Sequence, residues 1–191
     1  ATVTKIWDDA DNQDGKRPES ITVTLYAEAD GVAKHKVDEA VLNETNHWAA
    51  TKSGLAKNVN GKPYTYTWEE ENVPDGYTLT TGYDSEDTDK TILTNTHTPE
   101  TVNATVVKAW DDADNQDGKR PREIKIHLFA DGTELTDKVQ TVTASNGWNW
   151  KWEDLPKYAN GTEITYTITE DAVENYTTVV DGYNVTNSYT P

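Results

Sequence analysis

The 191-residue chain contains no cysteine and no methionine. Without cysteine, no disulfide staples a small domain and no thiol chemistry is available. Without methionine, the chain reads as a piece of a longer protein. Positive charge is scarce: 17 Lys and Arg stand against 34 Asp and Glu, a net charge of −17. An acidic surface of that size argues against nucleic acid and anionic membrane as partners. No apolar run approaches the roughly 18 residues a membrane helix needs, and no signal peptide is present. Any export signal or wall anchor is expected outside this piece. Hydrophobic content is only 34%, yet 7 Trp and 10 Tyr supply large apolar surfaces. The composition is that of a folded, highly charged protein.

What is present is a repeat. Residues Trp7 to Pro18 (WDDADNQDGKRP) and Trp110 to Pro121 are identical over 12 positions. Each tryptophan follows a lysine by two positions, Lys5 and Lys108. Self-similarity at that distance sets two domains, 1–99 and 100–191, each able to fold alone around a modest core. The link, 98–103, has one proline and no Gly or Ser run, so limited bending is expected between them.

Period-two alternation of apolar residues predicts strands at 1–7, 20–27, 36–42, 63–70, 77–83 and 91–97, with another begun by Asn46-His47-Trp48. The second copy predicts strands at 104–110, 123–130, 165–170 and 183–189, and a middle strand along which Trp148, Trp150 and Trp152 alternate. Leu155-Pro156 and Asn160-Gly161 read as turns, and 8–18 as a solvated polar loop. No helix is expected. Short strands at this spacing indicate an all-β fold, a β-sandwich in each of the two tandem units.

The same alternation places three polar residues per copy where core residues belong. Lys5 shares a face with Val3 and Trp7. Glu70 shares one with Tyr66 and Trp68, as Glu170 does with Tyr166 and Ile168. Asn95 follows Leu93, and Asn187 follows Val185. Among the consecutive Glu69, Glu70 and Glu71, only Glu70 is in phase with Trp68. Burying an unpaired Lys or Glu is costly. One reading is a buried Lys–Glu ion pair hydrogen-bonded to Asn, or side chains that snorkel out at the sheet rim. The other is covalent. Burial disfavours the charged form of both groups. A neutral amine is then a nucleophile toward the Asn amide, and a protonated Glu assists the loss of ammonia.

The lysine-led WDDxxNQDGKRP motif, the later Tyr-Thr-x-x-Glu and the terminal Thr-Asn together resemble the B-type repeat domains of Gram-positive collagen adhesins, the Cna B-type family, twice over the whole chain. The resemblance implies a sandwich of reverse immunoglobulin topology with a self-formed isopeptide bond. It pairs Lys5 with Asn95, assisted by Glu70, and Lys108 with Asn187, assisted by Glu170. The family's Leu-Pro-x-Tyr element stands as Leu155-Pro156-Lys157-Tyr158 but is degraded to Leu55-Ala56-Lys57-Asn58 in the first copy.

Other motifs carry less. The Asp-rich loop fails the EF-hand pattern, because Gly15 at its sixth position puts Ala10 at the first. The four histidines have no ligand spacing. No cofactor and no metal site is expected. An exposed Trp148, Trp150, Trp152 platform would suit a sugar, although such alternation more often fills a core. The resemblance implies a structural stalk or spacer of an extracellular, cell-wall-anchored adhesin. Its partners would be other repeats of the same chain, and its host ligand is unknown. The alternatives are a segment of a pilus shaft and a carbohydrate-binding sandwich. A turnover enzyme is not expected, since the only candidate chemistry consumes its own side chains once.

Overall fold

The computed structural model describes all 191 residues. The chain divides into two compact units, Ala1–Pro99 and Glu100–Pro191. The first contains β1 (Thr2–Asp8), β2 (Ser20–Ala29), β3 (Val32–Asn43), β4 (Ala49–Thr51), β5 (Asn58–Val59), β6 (Lys62–Pro63), β7 (Thr65–Glu70), β8 (Thr78–Tyr83) and β9 (Lys90–Thr96). They form a four-stranded sheet in the order β4-β1-β9-β8, a three-stranded sheet β3-β2-β7, and a small β5-β6 ribbon. The inward faces of both main sheets meet in one core: Val3, Ile21, Val23, Leu25, Leu42, Trp68 and Leu93. That is the sandwich the alternation predicts.

The second unit repeats the plan with β10 (Thr101–Asp111), β11 (Glu123–Ala130), β12 (Thr133–Glu134), β13 (Gln140–Thr143), β14 (Asn149–Pro156), β15 (Tyr158–Ala159), β16 (Thr162–Glu163), β17 (Tyr166–Glu170), β18 (Thr177–Asp181) and β19 (Asn184–Ser188). Its four-stranded sheet is β14-β10-β19-β18, and β11 pairs with β12, β13 and β17 in the other. Two-residue hairpin loops at Asn60-Gly61, Asp131-Gly132 and Asn160-Gly161 have positive φ at both positions, the geometry that favours Asn-Gly and Asp-Gly.

One topological feature governs the rest. The first and last strands of each unit are neighbours and run parallel: β1 with β9, β10 with β19. The register sets Lys5 opposite Leu93 and Trp7 opposite Asn95; Lys108 faces Val185 and Trp110 faces Asn187.

Several local expectations are corrected. Asn46-His47-Trp48 does not begin a strand. Glu44–Asn46 is one turn of 3₁₀ helix held by a reciprocal Asn43–Asn46 cap. His47 and Trp48 then take left-handed backbone, and β4 starts only at Ala49. In the second unit Ala144–Asn146 does the same, with Gly147 and Trp148 left-handed. Only Trp150 and Trp152 therefore alternate along β14, and all three tryptophans pack on the core. Leu155-Pro156 is not a turn. A register shift between Val102 and Ala104, with left-handed Asp154 bonded to Asn103 Oδ1, carries β14 onward, and Leu155 is buried. The link is shorter than 98–103, because Thr101–Asn103 already belong to β10. The degraded Leu-Pro-x-Tyr element costs the first unit no anchor. Tyr66 OH donates to the Ala56 carbonyl as Tyr166 OH does to that of Pro156, each at 2.6 Å, and a backbone acceptor is indifferent to the side chain.

Candidate functional site: a buried lysine, glutamate and asparagine in each unit

The three polar residues singled out in each copy converge between the sheets. In the first unit Lys5 comes from β1, Asn95 from the adjacent β9, and Glu70 from β7 of the opposite sheet. The Lys5 and Glu70 side chains are fully excluded from solvent and Asn95 is wholly buried. Lys5 Nζ lies 2.8 Å from Glu70 Oε2, and Asn95 Nδ2 donates to Glu70 Oε1 at 2.8 Å. The Lys–Glu contact is short but poorly directed for a hydrogen bond, so it is best described as a close charge contact. Asn95 Oδ1 receives no hydrogen bond. Glu69 and Glu71 face outward, Glu69 paired with Lys34 and Glu71 with the Tyr26 hydroxyl.

The second unit matches. Lys108 Nζ is 3.4 Å from Glu170 Oε2, Asn187 Nδ2 donates to Glu170 Oε1 at 2.8 Å, and Asn187 Oδ1 is again without a donor. One carboxyl therefore touches the amine through one oxygen and the amide nitrogen through the other. Burial pulls the Lys5 amine below its ordinary range against the opposing pull of Glu70. Burial likewise lowers Lys108 to about 8 despite Glu170. Glu170 is raised by the same desolvation, partly offset by Lys108 and Asn187.

A cluster of three rings, an aromatic box, meets the amine through its tryptophan. Lys5 Nζ sits 4.9 Å from the Trp7 ring centroid, and Trp48 and Tyr77 contact Trp7 edge-on at 5.1 and 5.2 Å. Lys108 lies 4.2 Å from Trp110, which Trp148 and Tyr176 flank at 5.1 Å each.

The acidic loop is not a solvated turn. Asp9 is 1% exposed, and its carboxylate accepts four hydrogen bonds: Arg17 Nε and Nη2 at 3.1 and 2.6 Å, the Asn12 amide at 2.9 Å and the Tyr77 hydroxyl at 2.8 Å. Asp112 accepts the same set from Arg120, Asn115 and Tyr176. Arg120 leads the donors that hold the Asp112 carboxyl well below its usual range; for Asp9, burial opposes but Arg17, Asn12 and Tyr77 prevail. Every lone pair of these carboxylates is committed to a donor, which is a positive reason to read the loop as a clamp. To close it, Ala10, Asp11 and Asn12 all adopt left-handed backbone, as do Ala113, Asp114 and Asn115. For non-glycine residues this costs on the order of 1–2 kcal/mol each. Sequence reasoning missed the clamp. Its one signal was that Asp9 and Arg17 recur in the identical stretch with a Tyr (Tyr77, Tyr176) far along each copy.

A second loop anchor differs between units. His97 Nδ1 faces the Gly76 carbonyl and Nε2 faces Asp14, both at 2.8 Å. Two acceptors are both satisfied only by the imidazolium, and Asp14 is the main cause of a raised His97 pKa. Tyr189 replaces it in the second unit, donating to Asp117. Because the folded value is raised, this stabilisation is complete below about pH 6.5 and is lost as pH rises through the folded value. The first unit's urea midpoint is therefore expected to fall across that window in the wild type and less so in His97→Tyr. Parallel profiles for the two proteins would contradict the assignment.

A family model for the Cna protein B-type domain matches residues 1–96 and 104–188. The chain belongs to this family. Over its full length it is 49% identical to a collagen adhesin of Staphylococcus aureus, of which it spans 16%. The crystal structure of two B repeat units of the S. aureus collagen-binding protein superimposes with a TM-score of 0.86 at 45% identity, covering all of this chain and 49% of that one. The fold is thus that of two tandem Cna B-type repeats.

Proposed function

We propose that these Cna B-type repeats are a stalk segment of an extracellular, wall-anchored adhesin of a Gram-positive bacterium, each repeat locked by a self-formed Lys–Asn isopeptide bond. The observation that carries the reading is the duplicated site, in which a single buried carboxyl bridges an amine and an amide on parallel first and last strands. Relatedness to a collagen adhesin supports the setting. Collagen binding itself is not assigned to this segment, whose partners are further repeats of the same chain.

The chemistry balances within the site. Lys108 passes a proton to Glu170 Oε2, the neutral amine attacks Asn187 Cγ, and a C–N bond forms. The Asn187 nitrogen needs one proton to leave as ammonia: Glu170 donates it, the attacking nitrogen returns one proton to Glu170, and the carbonyl reforms as an amide. Glu170 ends neutral, the form burial favours. Lys5, Glu70 and Asn95 have the same roles. The reaction turns over once, with no cofactor.

Each bond closes a loop of about 90 residues in the first unit and about 80 in the second, worth roughly 4–5 kcal/mol by analogy with disulfides. Replacing a buried, hydrogen-bonded side chain costs about 1–3 kcal/mol by itself. Asn187→Ala is therefore expected to destabilise the second unit in urea by distinctly more than that figure while leaving the first unit's transition in place. A loss confined to the smaller range would return the triad to a buried ion pair with an Asn partner.

A further inference from the structure

The proposed bond uses Lys, Glu and Asn and leaves the duplicated Asp–Arg clamp without a part in it. Its placement is specific. Arg17 Cζ lies 5.6 Å from the centroid of the same Trp7 ring that Lys5 Nζ approaches to 4.9 Å. Arg120 lies 5.4 Å from Trp110, against 4.2 Å for Lys108. Each guanidinium is held by the paired bonds to Asp9 or Asp112. Its own backbone N–H donates to Asn12 or Asn115 at 2.9 Å. The carboxylate is pinned in turn by Tyr77 or Tyr176, the ring that also packs against the tryptophan. Three strained residues in each loop bring the arginine to this position.

We propose that Arg17 and Arg120 are positioning residues for the isopeptide bond: each fixes its tryptophan as a lid over the lysine amine and sets a permanent positive charge beside it. This rests on the bond-forming reading above. An arginine stays protonated under all working conditions, and its guanidinium packs on the same indole that the lysine amine approaches. Ammonium is thereby disfavoured relative to free amine, and water is kept from resolvating it. At Lys108, after the dominant effect of burial and the opposing pull of Glu170, the Arg120 charge adds to the lowering and outweighs the smaller opposing effect of its partner Asp112.

The consequence is kinetic and pH-dependent. The reactive state shares one proton between Lys108 and Glu170, so bond formation is fastest between their two titrations. It declines below the Glu170 value and above the Lys108 value of about 8. Loss of the arginine raises the lysine's proton affinity. For a one-unit rise, the reactive tautomer and the maximal rate fall about tenfold while the alkaline limb moves to higher pH.

The test follows newly made chain from cell-free synthesis, quenched at intervals across a pH series and weighed intact under denaturing conditions. Arg120→Gln is expected to lose the second unit's ammonia about tenfold more slowly, with the alkaline limb displaced upward; Arg120→Lys restores part of the rate. The first unit of the same chain serves as an internal clock. Wild-type rate and pH profile in Arg120→Gln would overturn the inference. Should that variant not fold, Tyr176→Phe loosens the clamp by one hydrogen bond, and an unaltered rate there overturns it equally. A wild-type chain that loses no ammonia would instead overturn the bond itself.

Discussion

Pulled from its two ends, the wild-type chain is expected to stretch without an unfolding step, while Asn95→Ala/Asn187→Ala lengthens in two steps of roughly 300 Å each. The difference follows from topology. β1 and β9 are parallel neighbours, as are β10 and β19, so the ends of each unit leave in opposite directions and load these pairs in shear. A bond from Lys5 to Asn95 takes that load within five residues of the unit's start. Everything between, including β2, β3 and β7 with the core residues Val23, Leu25 and Trp68, lies off the force path. In the double variant the load reaches hydrogen bonds alone, and about 90 residues of the first unit and 80 of the second pay out at about 3.3–3.6 Å each. Single-molecule stretching separates the two cases directly. Identical traces for the two proteins would show that the sandwich, not a covalent strut, bears the load, and the stalk reading would lose its mechanical basis.

The site was legible in the sequence because a strand has a period of two. Val3, Lys5 and Trp7 had to share a face, and so did Trp68 and Glu70, or Leu93 and Asn95. A polar residue in phase with a core residue stands out, and its recurrence in a second copy makes chance an inadequate account. The choice of Glu70 over its neighbours was decided by the same phase, and Glu69 and Glu71 do point outward to Lys34 and Tyr26. Alternation had no purchase where the backbone leaves the strand. Trp148 looked like one of three alternating tryptophans, but a 3₁₀ turn and a left-handed pair precede β14. Asp154 and the shift near Ala104 disguised a continuing strand as a Leu-Pro turn. The loop 8–18 was the largest loss. Its composition is that of a solvated turn, and Asp9 becomes a buried carboxylate only because Arg17 folds back from eight residues away and Tyr77 arrives from a distant segment. Such tertiary closure leaves no periodic trace.

The structure also sharpens what the two copies share and where they part. The Lys–Glu–Asn site, the aromatic box and the Asp–Arg clamp are the same in both units, residue for residue. The connection after the penultimate strand is a two-residue turn at Gly182-Tyr183 in the second unit. In the first it is the longer acidic stretch closed by Lys90 on Asp84 at 3.3 Å. The anchor of the motif loop is histidine in one and tyrosine in the other. Variation falls on exposed connections and loop anchors, and the machinery between the sheets is held constant, as expected if the bond rather than the surface is what each unit contributes.

Intact mass under denaturing conditions tests that central claim most directly. Formation of both bonds expels one ammonia per unit; succinimide formation at Asn60-Gly61, Asn146-Gly147 or Asn160-Gly161 would lose the same mass, so variants of the site that keep those pairs assign the loss. Glu170→Ala removes the group that touches both the amine and the amide nitrogen and should restore one ammonia; Glu70→Ala/Glu170→Ala should restore both. The account predicts a wild-type mass two ammonias below that of the sequence. A mass equal to that of the sequence would contradict it.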